Sequence, residues 1–181
     1  MSIGRREILL AASTAVLGSA CPTGAVAGTG RKAKGPADAQ AVAAITQLMN
    51  EWAHEVDSNY GRTMVEADVL TPDCRCKLED QWISGRDAIA AYYKARFAGI
   101  KPGEPAPIIR QLLSNFRITL TGKDEANVGL NLLLFVKVGT VPFSDYCDPV
   151  EVADVRADCR RGADGHWRIN MLDSDRIFRR D

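Results

Sequence analysis

Two long apolar segments within residues 108–136 constrain the fold of this chain most strongly. In the first segment Phe116, Ile118 and Leu120 alternate with polar residues, which predicts a strand with one buried and one solvent-exposed face. The second segment carries apolar residues on both faces and follows a short turn at residues 122–125. The sequence therefore predicts an antiparallel hairpin around which the rest of the chain folds.

Three helices are predicted before this hairpin. The first covers residues 39–57, where apolar residues recur at spacings of three and four, and Asp38 is its expected N-cap. The second is shorter and covers residues 60–70, and the third covers residues 88–97. Alternating residues at 74–78 predict a short strand between the second and the third helix.

Two further strands are predicted after the central hairpin. Residues 150–161 and 166–177 form a second hairpin around a turn at residues 162–165. Helices in the first half of a chain and long strands in the second half are typical of an α+β fold. We expect a curved antiparallel sheet that wraps around the long N-terminal helix, with three helices in all.

The first residues have the pattern of an export signal. Arg5 and Arg6 precede a mildly apolar, alanine-rich run, which is the order of a charged region followed by an apolar region. The paired arginines resemble a twin-arginine signal. Small residues permit cleavage after Ala20 or Ala27. Cys21 as a lipid-carrying first residue is the less favoured alternative, because a glycine stands where a lipobox has an aliphatic side chain.

The chain is therefore divided into an export signal over residues 1–27, a flexible glycine-rich linker over residues 28–38 and a globular domain over residues 39–181. The expected location is the periplasm or the cell exterior. With 181 residues, 46% hydrophobic and 25% charged, the chain suits one domain with a buried core. Its formal charge of zero does not favour nucleic acid, and no stretch of the mature protein is long and apolar enough to span a membrane.

Five segments, in this order and spacing, resemble the SnoaL-like branch of the nuclear transport factor 2-like superfamily. They lie at residues 52–57, 70–74, 84–89, 110–115 and 164–169. The resemblance implies a cone-shaped α+β fold, an apolar pocket between sheet and helices, frequent dimerisation through the sheet and no obligatory cofactor. Similar proteins include polyketide cyclases, scytalone dehydratase and ketosteroid isomerase, and other relatives only bind ligands, so the fold alone does not name a reaction.

The resemblance also implies three catalytic candidates. Asp57 matches the pocket aspartate of scytalone dehydratase, although an aspartate at a helix end is also explained by solvation at the rim. Gln111 stands where dehydratase-like relatives carry a histidine, and Asn131 is the nearest match to a second one. Because an amide orients a hydroxyl or carbonyl group but cannot transfer a proton, a histidine-dependent dehydration is in doubt.

Aromatic and amide side chains are the expected lining of the pocket, where they would favour a flat, partly oxygenated ring such as a polyketide, a terpenoid or a steroid. Core packing is the alternative explanation for each aromatic residue. The candidates are Trp52, Tyr60, Trp82, Tyr92, Phe135, Tyr146 and Asn115. Arg156 and Asp158, with Asp154, are expected either to form a polar floor for the ligand or to be an ordinary cross-strand ion pair.

Other titratable residues are weaker candidates. Glu79 and Asp80 stand near the general base of ketosteroid isomerase-like sequences, although a polar strand end is the more common explanation for such residues. His54 and His166 are expected to be surface or packing residues. We therefore expect no metal site, and the family resemblance implies no cofactor.

Four cysteines remain after signal cleavage: Cys74, Cys76, Cys147 and Cys159. Outside the cytoplasm they can pair in three ways. Cys74 and Cys76 share one strand face and are poorly placed to bond each other. We expect at most one bridge, with Cys147–Cys159 favoured because both flank the second hairpin.

Two functions of different class follow. The first is a cofactor-independent lyase, isomerase or cyclase that acts on a small hydrophobic molecule with rings. The alternative is a non-catalytic periplasmic binding protein that keeps the pocket but lacks the catalytic histidine. A homodimer through the sheet is expected in either case. A third possibility is an accessory subunit that uses Arg117 and Asn127 in such an interface.

Overall fold

The computed structural model describes residues 35–100, 105–139 and 141–180, which contain two helices and six strands. In chain order these elements are α1 (Pro36–Asn59), β1 (Leu70–Leu78), β2 (Gln81–Ser84), α2 (Arg86–Arg96), β3 (Pro107–Leu120), β4 (Glu125–Val138), β5 (Glu151–Arg161) and β6 (Trp167–Arg179). The predicted α+β class and both long hairpins are confirmed. The number of helices is not, since the described residues contain two helices instead of three.

The six strands form one sheet in the order β2-β1-β6-β5-β4-β3. The two predicted hairpins, β3–β4 and β5–β6, are antiparallel, and β4 and β5 join them. Contrary to the prediction of a purely antiparallel sheet, β1 pairs with β6 in parallel. Two parallel strands cannot be joined by a tight turn, because the chain must cross back to the end at which the first strand began. Here the connection between β1 and β6 contains all the other strands.

Helix α1 begins at Pro36, three residues before the predicted start. Proline suits the first helical position because its fixed φ is helical and its missing N–H would have no partner there. Asp38 therefore lies in the first turn and is not the N-cap, which is Gly35. A carboxylate in that turn still interacts favourably with the helix dipole.

The second predicted helix is wrong, since residues 61–68 form turns. Tyr60 and Gly61 both have positive φ angles, 56° and 68°, which end α1 and reverse the chain. The buried carboxylate of Glu55 then accepts hydrogen bonds from the backbone amide of Thr63 at 2.8 Å and from its hydroxyl at 2.8 Å. The apolar spacing that predicted the helix instead buries Met64 in the core.

Strand β1 extends through Thr71 and Pro72, which were expected to end a helix. Pro72 is tolerated because the β1–β6 register is irregular between Leu70 and Arg75, so its missing N–H interrupts no regular ladder. Strand β2 was not predicted. It is only four residues long and three of its four residues are exposed, which leaves no apolar alternation to detect.

The core lies between α1 and the inner face of the sheet. Helix α1 buries Ile45, Met49 and Trp52, at the spacings that the sequence predicted. Strand β4 buries Leu130 and Leu132 against them. The period of 3.6 residues in the helix and of two in the strand therefore determines which side chains meet.

The described cysteines are free thiols. Cys74 and Cys76 are buried with their sulfurs 3.8 Å apart. The favoured bridge is absent: Cys159 is buried near the end of β5, whereas Cys147 lies in the loop before it. Because a strand rises about 3.3 Å per residue, the eight residues from the start of β5 to Cys159 extend roughly 26 Å, which separates the two thiols.

The predicted export signal and most of the predicted linker lie outside the described residues. Within the described part of the chain, neither helix combines the length and the apolar character needed to cross a bilayer.

Candidate functional site

A cavity of about 390 Å³ lies between the two helices and the inner face of the sheet. Helix α1 contributes Trp52 and Val56, which lie one turn apart on its buried face. The sheet contributes Ile109, Leu132 and Leu134, which alternate with outward-facing residues. These parts of the wall are therefore apolar, whereas polar and charged residues from the β1–β2 turn, α2, β5 and β6 line other parts of the cavity.

Four cavity-lining residues lie side by side across four strands. Gln111 of β3 pairs with Leu134 of β4, Leu134 with Glu151 of β5, and Glu151 with Arg179 of β6. We refer to these four residues as the cross-strand row. Since neighbouring strands lie about 4.8 Å apart, the backbones of Gln111 and Glu151 are roughly 10 Å apart, with Leu134 between them.

Asp57, in the last turn of α1, is half-buried and binds the edge of the sheet. Its Oδ2 accepts a hydrogen bond from the backbone amide of Gln111 at 3.0 Å. Its Oδ1 is buried with no partner among the described residues. Burial raises the pKa of the carboxyl, and the Gln111 hydrogen bond and the charge of Arg110 partly offset this. Asp57 thus fixes the strand that carries Gln111, but its side chain does not line the cavity.

The side chain of Gln111 does line the cavity. Its Oε1 is buried and accepts no hydrogen bond from a described residue. A buried polar atom without a partner costs on the order of 1–3 kcal/mol. A ligand that donates a hydrogen bond to this oxygen would remove that cost.

Two acidic residues in the β1–β2 turn bind arginines at the mouth of the cavity. Glu79 accepts a hydrogen bond from Arg96 of α2, and Asp80 accepts one from Arg176 of β6. Arg96 also donates to the Tyr92 hydroxyl at 3.2 Å. The Arg96 hydrogen bond lowers the pKa of Glu79, and burial raises the pKa of Tyr92. Both arginines are thus already engaged by carboxylates.

Glu151 differs from these two carboxylates. It is half-buried and lines the cavity, and its carboxylate forms no hydrogen bond or ion pair with any residue in the described ranges. Burial raises the pKa of its carboxyl, and the charges of Arg176 and Arg179 act in the opposite direction. A carboxylate that is partly removed from water and not paired is suited to proton exchange with a bound molecule.

The structure brings five of the sequence candidates into the cavity wall: Trp52, Tyr92 and Gln111, and the weaker candidates Glu79 and Asp80. Tyr60 lies behind the wall. Its hydroxyl donates to the carbonyl of Pro107 at 2.9 Å, and its ring packs on Phe97 with centroids 5.1 Å apart. Tyr60, like Asp57, therefore supports the wall without lining it.

The predicted amides Asn115 and Asn131 lie outside the cavity, on the outer face of the sheet. The Nδ2 of Asn115 donates to the Oδ1 of Asn131 at 2.7 Å, and the Nδ2 of Asn131 donates to Asp154 at 2.5 Å. Phe135 shares this face, since its neighbours Leu134 and Val136 line the cavity. The structure does not bring Asn131 together with Asp57.

Arg156 and Asp158 belong to the same outer face. Arg156 donates to Asp173 at 3.0 Å and also binds Asp175. Asp158 accepts a hydrogen bond from Asn127 at 2.6 Å. Arg156 is therefore in a cross-strand ion pair, but its partners are Asp173 and Asp175 and not Asp158 or Asp154.

Two predicted aromatic residues are exposed. Trp82 is 44% exposed and lies under the guanidinium group of Arg75, which is 4.9 Å from its ring centroid. Tyr146 is 85% exposed in the loop before β5. Neither residue lines the cavity.

Both histidines are exposed. His54 contacts the hydroxyl of Ser58 at 3.3 Å on the outer side of α1, and His166 lies in the β5–β6 turn. In the part of the chain that the structure describes, no group of three histidine, cysteine or acidic side chains is arranged to hold a metal ion.

Sequence reasoning missed Glu151, Arg96, Arg176 and Arg179, all of which line the cavity. For Glu151 a signal was present. The residues at alternate positions after it on β5, from Ala153 to Cys159, are all buried. Period-two alternation therefore places Glu151 on the apolar face, where a carboxylate needs an explanation. The arginines carry no comparable signal, because their long side chains reach the mouth from strand and helix ends.

Comparison with known proteins places this geometry in a family. A model of the SnoaL-like domain matches residues 37–173. ActVI-ORFA from Streptomyces coelicolor superposes with a TM-score of 0.63 at 11% identity, over 76% of this chain and 98% of that one. A scytalone dehydratase candidate from Novosphingobium aromaticivorans gives 0.62 at 16% identity, over 80% of this chain and 89% of that one.

A third solved structure, of a Catenulispora acidiphila protein in complex with S-DNPA, gives a TM-score of 0.55 at 18% identity, over 75% of this chain and 94% of that one. At such identities these structures establish the fold alone. A search of curated proteins found no significant match. Because the family model covers most of the chain, the chain belongs to the SnoaL-like domain family of the nuclear transport factor 2-like superfamily.

Proposed function

We propose that this protein binds a small, largely apolar molecule with rings in the cavity and isomerises, cyclises or dehydrates it without a cofactor. The observation that carries the proposal is the cross-strand row, in which Gln111 and Glu151 lie at two ends of an apolar floor formed by Leu134. A volume of about 390 Å³ is within the usual range for small-molecule sites. Apolar walls with a few fixed polar groups are the usual composition of such sites.

In this proposal Gln111 orients the ligand and Asp57 orients Gln111. The unpaired Oε1 of Gln111 would accept a hydrogen bond from a ligand hydroxyl group. The backbone N–H of Gln111 donates a hydrogen bond to Asp57, which holds β3 against α1. The side chain of Gln111 therefore keeps its position in the cavity wall. Asn131 is not included, because it lies on the other face of the sheet.

The alternative, a binding protein without catalysis, is favoured by one specific observation. Both histidines are exposed and neither lines the cavity. A pocket that has kept its apolar walls but has no imidazole would still bind a ring-containing ligand. Turnover of a bound ligand is what separates the two functions.

The fluorescence of Trp52 tests ligand binding directly. Trp52 lines the cavity, whereas Trp82 is partly exposed elsewhere and Trp167 lies in the core. Titration with the bicyclic ketone 2-tetralone should change the emission saturably, and Trp52→Phe should abolish most of the change. Trp167→Phe is the matched control and should retain it. A response that is absent, or that survives Trp52→Phe but not Trp167→Phe, would refute binding in this cavity.

We also propose a homodimer through the outer face of the sheet. Four apolar residues on that face lie side by side on neighbouring strands: Leu112, Leu133, Val152 and Phe178. Leu112 is 56% exposed and Phe178 is 68% exposed, which is unfavourable for a free surface. Sedimentation velocity should detect a dimer that Leu133→Asp converts to a monomer. A wild-type monomer at micromolar concentration would contradict this assembly.

Export by the twin-arginine route remains a proposal that rests on Arg5 and Arg6 and on the apolar run after them. Fractionation of cells that express the full chain should recover the processed protein outside the cytoplasm. Substitution of both arginines by lysine should leave the precursor in the cytoplasm. Processing that is insensitive to this substitution would exclude the twin-arginine route.

A further inference from the structure

Glu151 and Arg179 are the two charged residues of the cavity wall that form no ion pair with another described residue. Of the acidic residues that line the cavity, Glu79 and Asp80 are bound by Arg96 and Arg176. Glu151 forms no ion pair within the described ranges, and the same is true of Arg179. The two residues face each other on adjacent strands.

The position of Glu151 also differs from that of Asp57, the carboxyl group that the sequence favoured as catalytic. The Oδ2 of Asp57 is occupied by the Gln111 amide, its Oδ1 is enclosed by protein, and its side chain does not line the cavity. Glu151 lines the cavity with both oxygens unengaged by described residues. A group that exchanges a proton must reach the ligand, and Glu151 lines the cavity that would hold it, whereas Asp57 does not.

We infer that Glu151 is the catalytic base of this cavity, that it removes a proton from a carbon next to the carbonyl group of a cyclic ketone, and that Arg179 binds the oxygen on which negative charge develops. This rests on the proposed function. The C–H bond breaks and an O–H bond forms on Glu151, while the electron pair of the C–H bond moves into a C=C bond and leaves the charge on the ketone oxygen. If the ketone carries a C=C bond between its β and γ carbons, the enolate is conjugated with that bond. Return of the proton to the γ carbon then moves the C=C bond next to the carbonyl group and isomerises the ketone, so no oxidant or reductant is needed.

The spacing of the row fits this step. Opposed side chains on neighbouring strands have Cβ atoms about 4.5–5.5 Å apart, so Glu151 and Arg179 can contact adjacent atoms of one ligand. The guanidinium group is always protonated and stabilises an oxyanion without giving up a proton. The rest of the ring system would lie over Leu134, towards Gln111. Burial, which raises the pKa of Glu151, makes it a stronger base than a carboxylate in water.

Hydrogen–deuterium exchange tests the inference without knowledge of the natural substrate. The probe is 2-tetralone in D2O, and its deuterium content is followed by mass spectrometry while its binding is followed by Trp52 fluorescence. The wild-type protein should accelerate exchange over buffer. Glu151→Gln should reduce the protein-catalysed rate at least about 100-fold, the usual contribution of a positioned base, and should change affinity for the neutral ketone less than about 3-fold, since the base acts mainly in the transition state.

The controls distinguish the inference from the proposed function. Glu125→Gln makes the same type of change at an exposed residue, the first of β4, and should leave exchange unchanged. Arg179→Gln should slow exchange roughly 10- to 1000-fold, as expected for loss of a charge that stabilises an oxyanion. If Glu151→Gln does not fold, Glu151→Asp, which keeps a shorter carboxylate, should fold and exchange more slowly than the wild type.

Three results would overturn the inference. The first is binding of 2-tetralone without accelerated exchange, or exchange that persists in Glu151→Gln or runs at the full rate in Glu151→Asp. Each of these outcomes leaves the proposed binding intact and shows that Glu151 is not the base. Exchange that is lost in Asp57→Asn but retained in Glu151→Gln assigns the proton transfer to Asp57. Failure of the wild-type protein to bind the ketone overturns the proposed function and the inference together.

Discussion

Glu151 and Arg179 are cross-strand partners on the inner face of the sheet, yet no ion pair joins them. In proteins a half-buried carboxylate beside an arginine usually forms such a pair, because the charge would otherwise be poorly solvated. An unpaired arrangement that lines a cavity is instead suited to a ligand that lies between the two groups.

Glu151→Gln should stabilise the protein at neutral pH. Burial raises the pKa of Glu151 in the folded state, so ionisation of this residue opposes folding at pH values above the folded pKa. As pH falls through the folded pKa, the Glu151 carboxyl group becomes protonated, and its ionisation no longer reduces the free energy of unfolding. Urea unfolding at pH 8 should therefore give the variant a higher free energy of unfolding than the wild type, and the difference should shrink towards pH 4.

Glu79→Gln provides a comparison of opposite sign. The hydrogen bond from Arg96 lowers the pKa of Glu79, so its stabilising contribution is present above the unfolded pKa and is lost as pH falls through the folded value. This surface pair should contribute about 0.2–1 kcal/mol at pH 7. If both variants shift stability in the same direction at pH 7, the two carboxylates do not differ in the way described.

Gly61→Ala should displace a wall of the cavity. Gly61 has a φ of +68°, and a Cβ there would lie 2.5 Å from the Cγ of Tyr93, which lines the cavity. Gly85 has a φ of +94° but open space around it, so Gly85→Ala measures backbone strain alone. Gly61→Ala should be less stable than Gly85→Ala by about 1–3 kcal/mol, the usual cost of overpacking. Equal thermal unfolding midpoints would show that Tyr93 moves aside freely.

Glu55→Ala should destabilise the junction between α1 and the turns at residues 61–68. The Glu55 carboxylate is 4% exposed and accepts hydrogen bonds from Asn59 at 2.6 Å and from two groups of Thr63 at 2.8 Å. Loss of these charged hydrogen bonds should cost roughly 2–3 kcal/mol in the free energy of unfolding. Glu51→Ala is the control, since Glu51 is exposed, and it should change stability by less than about 0.5 kcal/mol. Similar losses in both variants would contradict a structural role for Glu55.

Thiol labelling should distinguish the cysteines in the native state. Cys74, Cys76 and Cys159 are buried, and burial raises the pKa of Cys159 to about 12, so these thiols should not react at pH 8. Cys147 is only half-buried and should react with a maleimide within minutes. Mass spectrometry of digested protein identifies the labelled residue. Protection of Cys147, or rapid labelling of Cys159, would be inconsistent with the structure.

Apolar periodicity was sufficient to predict α1 and the two long hairpins, because each buries one continuous face. It failed between residues 61 and 68, where the spacing of apolar residues is helical but Tyr60 and Gly61 adopt positive φ angles. No local pattern could reveal that the Glu55 carboxylate would stabilise this turn, since the contact to Thr63 spans eight residues. The helical pattern of these residues was overridden by the contact between the side chain of Glu55 and Thr63.

The sequence predicted only part of the candidate site, because two strand residues were assigned to the wrong face of the sheet. Family resemblance selected Asn131, although alternation with Leu130 and Leu132 already placed it on the outer face. Asn115 was harder to assign, because β3 contains a register irregularity between Ser114 and Arg117 that changes which alternate residues face inward. Gln111 precedes this irregularity and lines the cavity.

Two neighbouring leucines of β4 allow the most direct test of ligand binding in the cavity. Leu134 lines the cavity, whereas Leu133 lies on the outer face of the same strand. With methyl-labelled protein and 2-tetralone, nuclear Overhauser effects should connect the ligand to the methyl groups of Leu134 and Leu132 and not to those of Leu133. Effects to Leu133 alone, or to no leucine of β4 at saturating ligand, would contradict a binding site between the helices and the sheet.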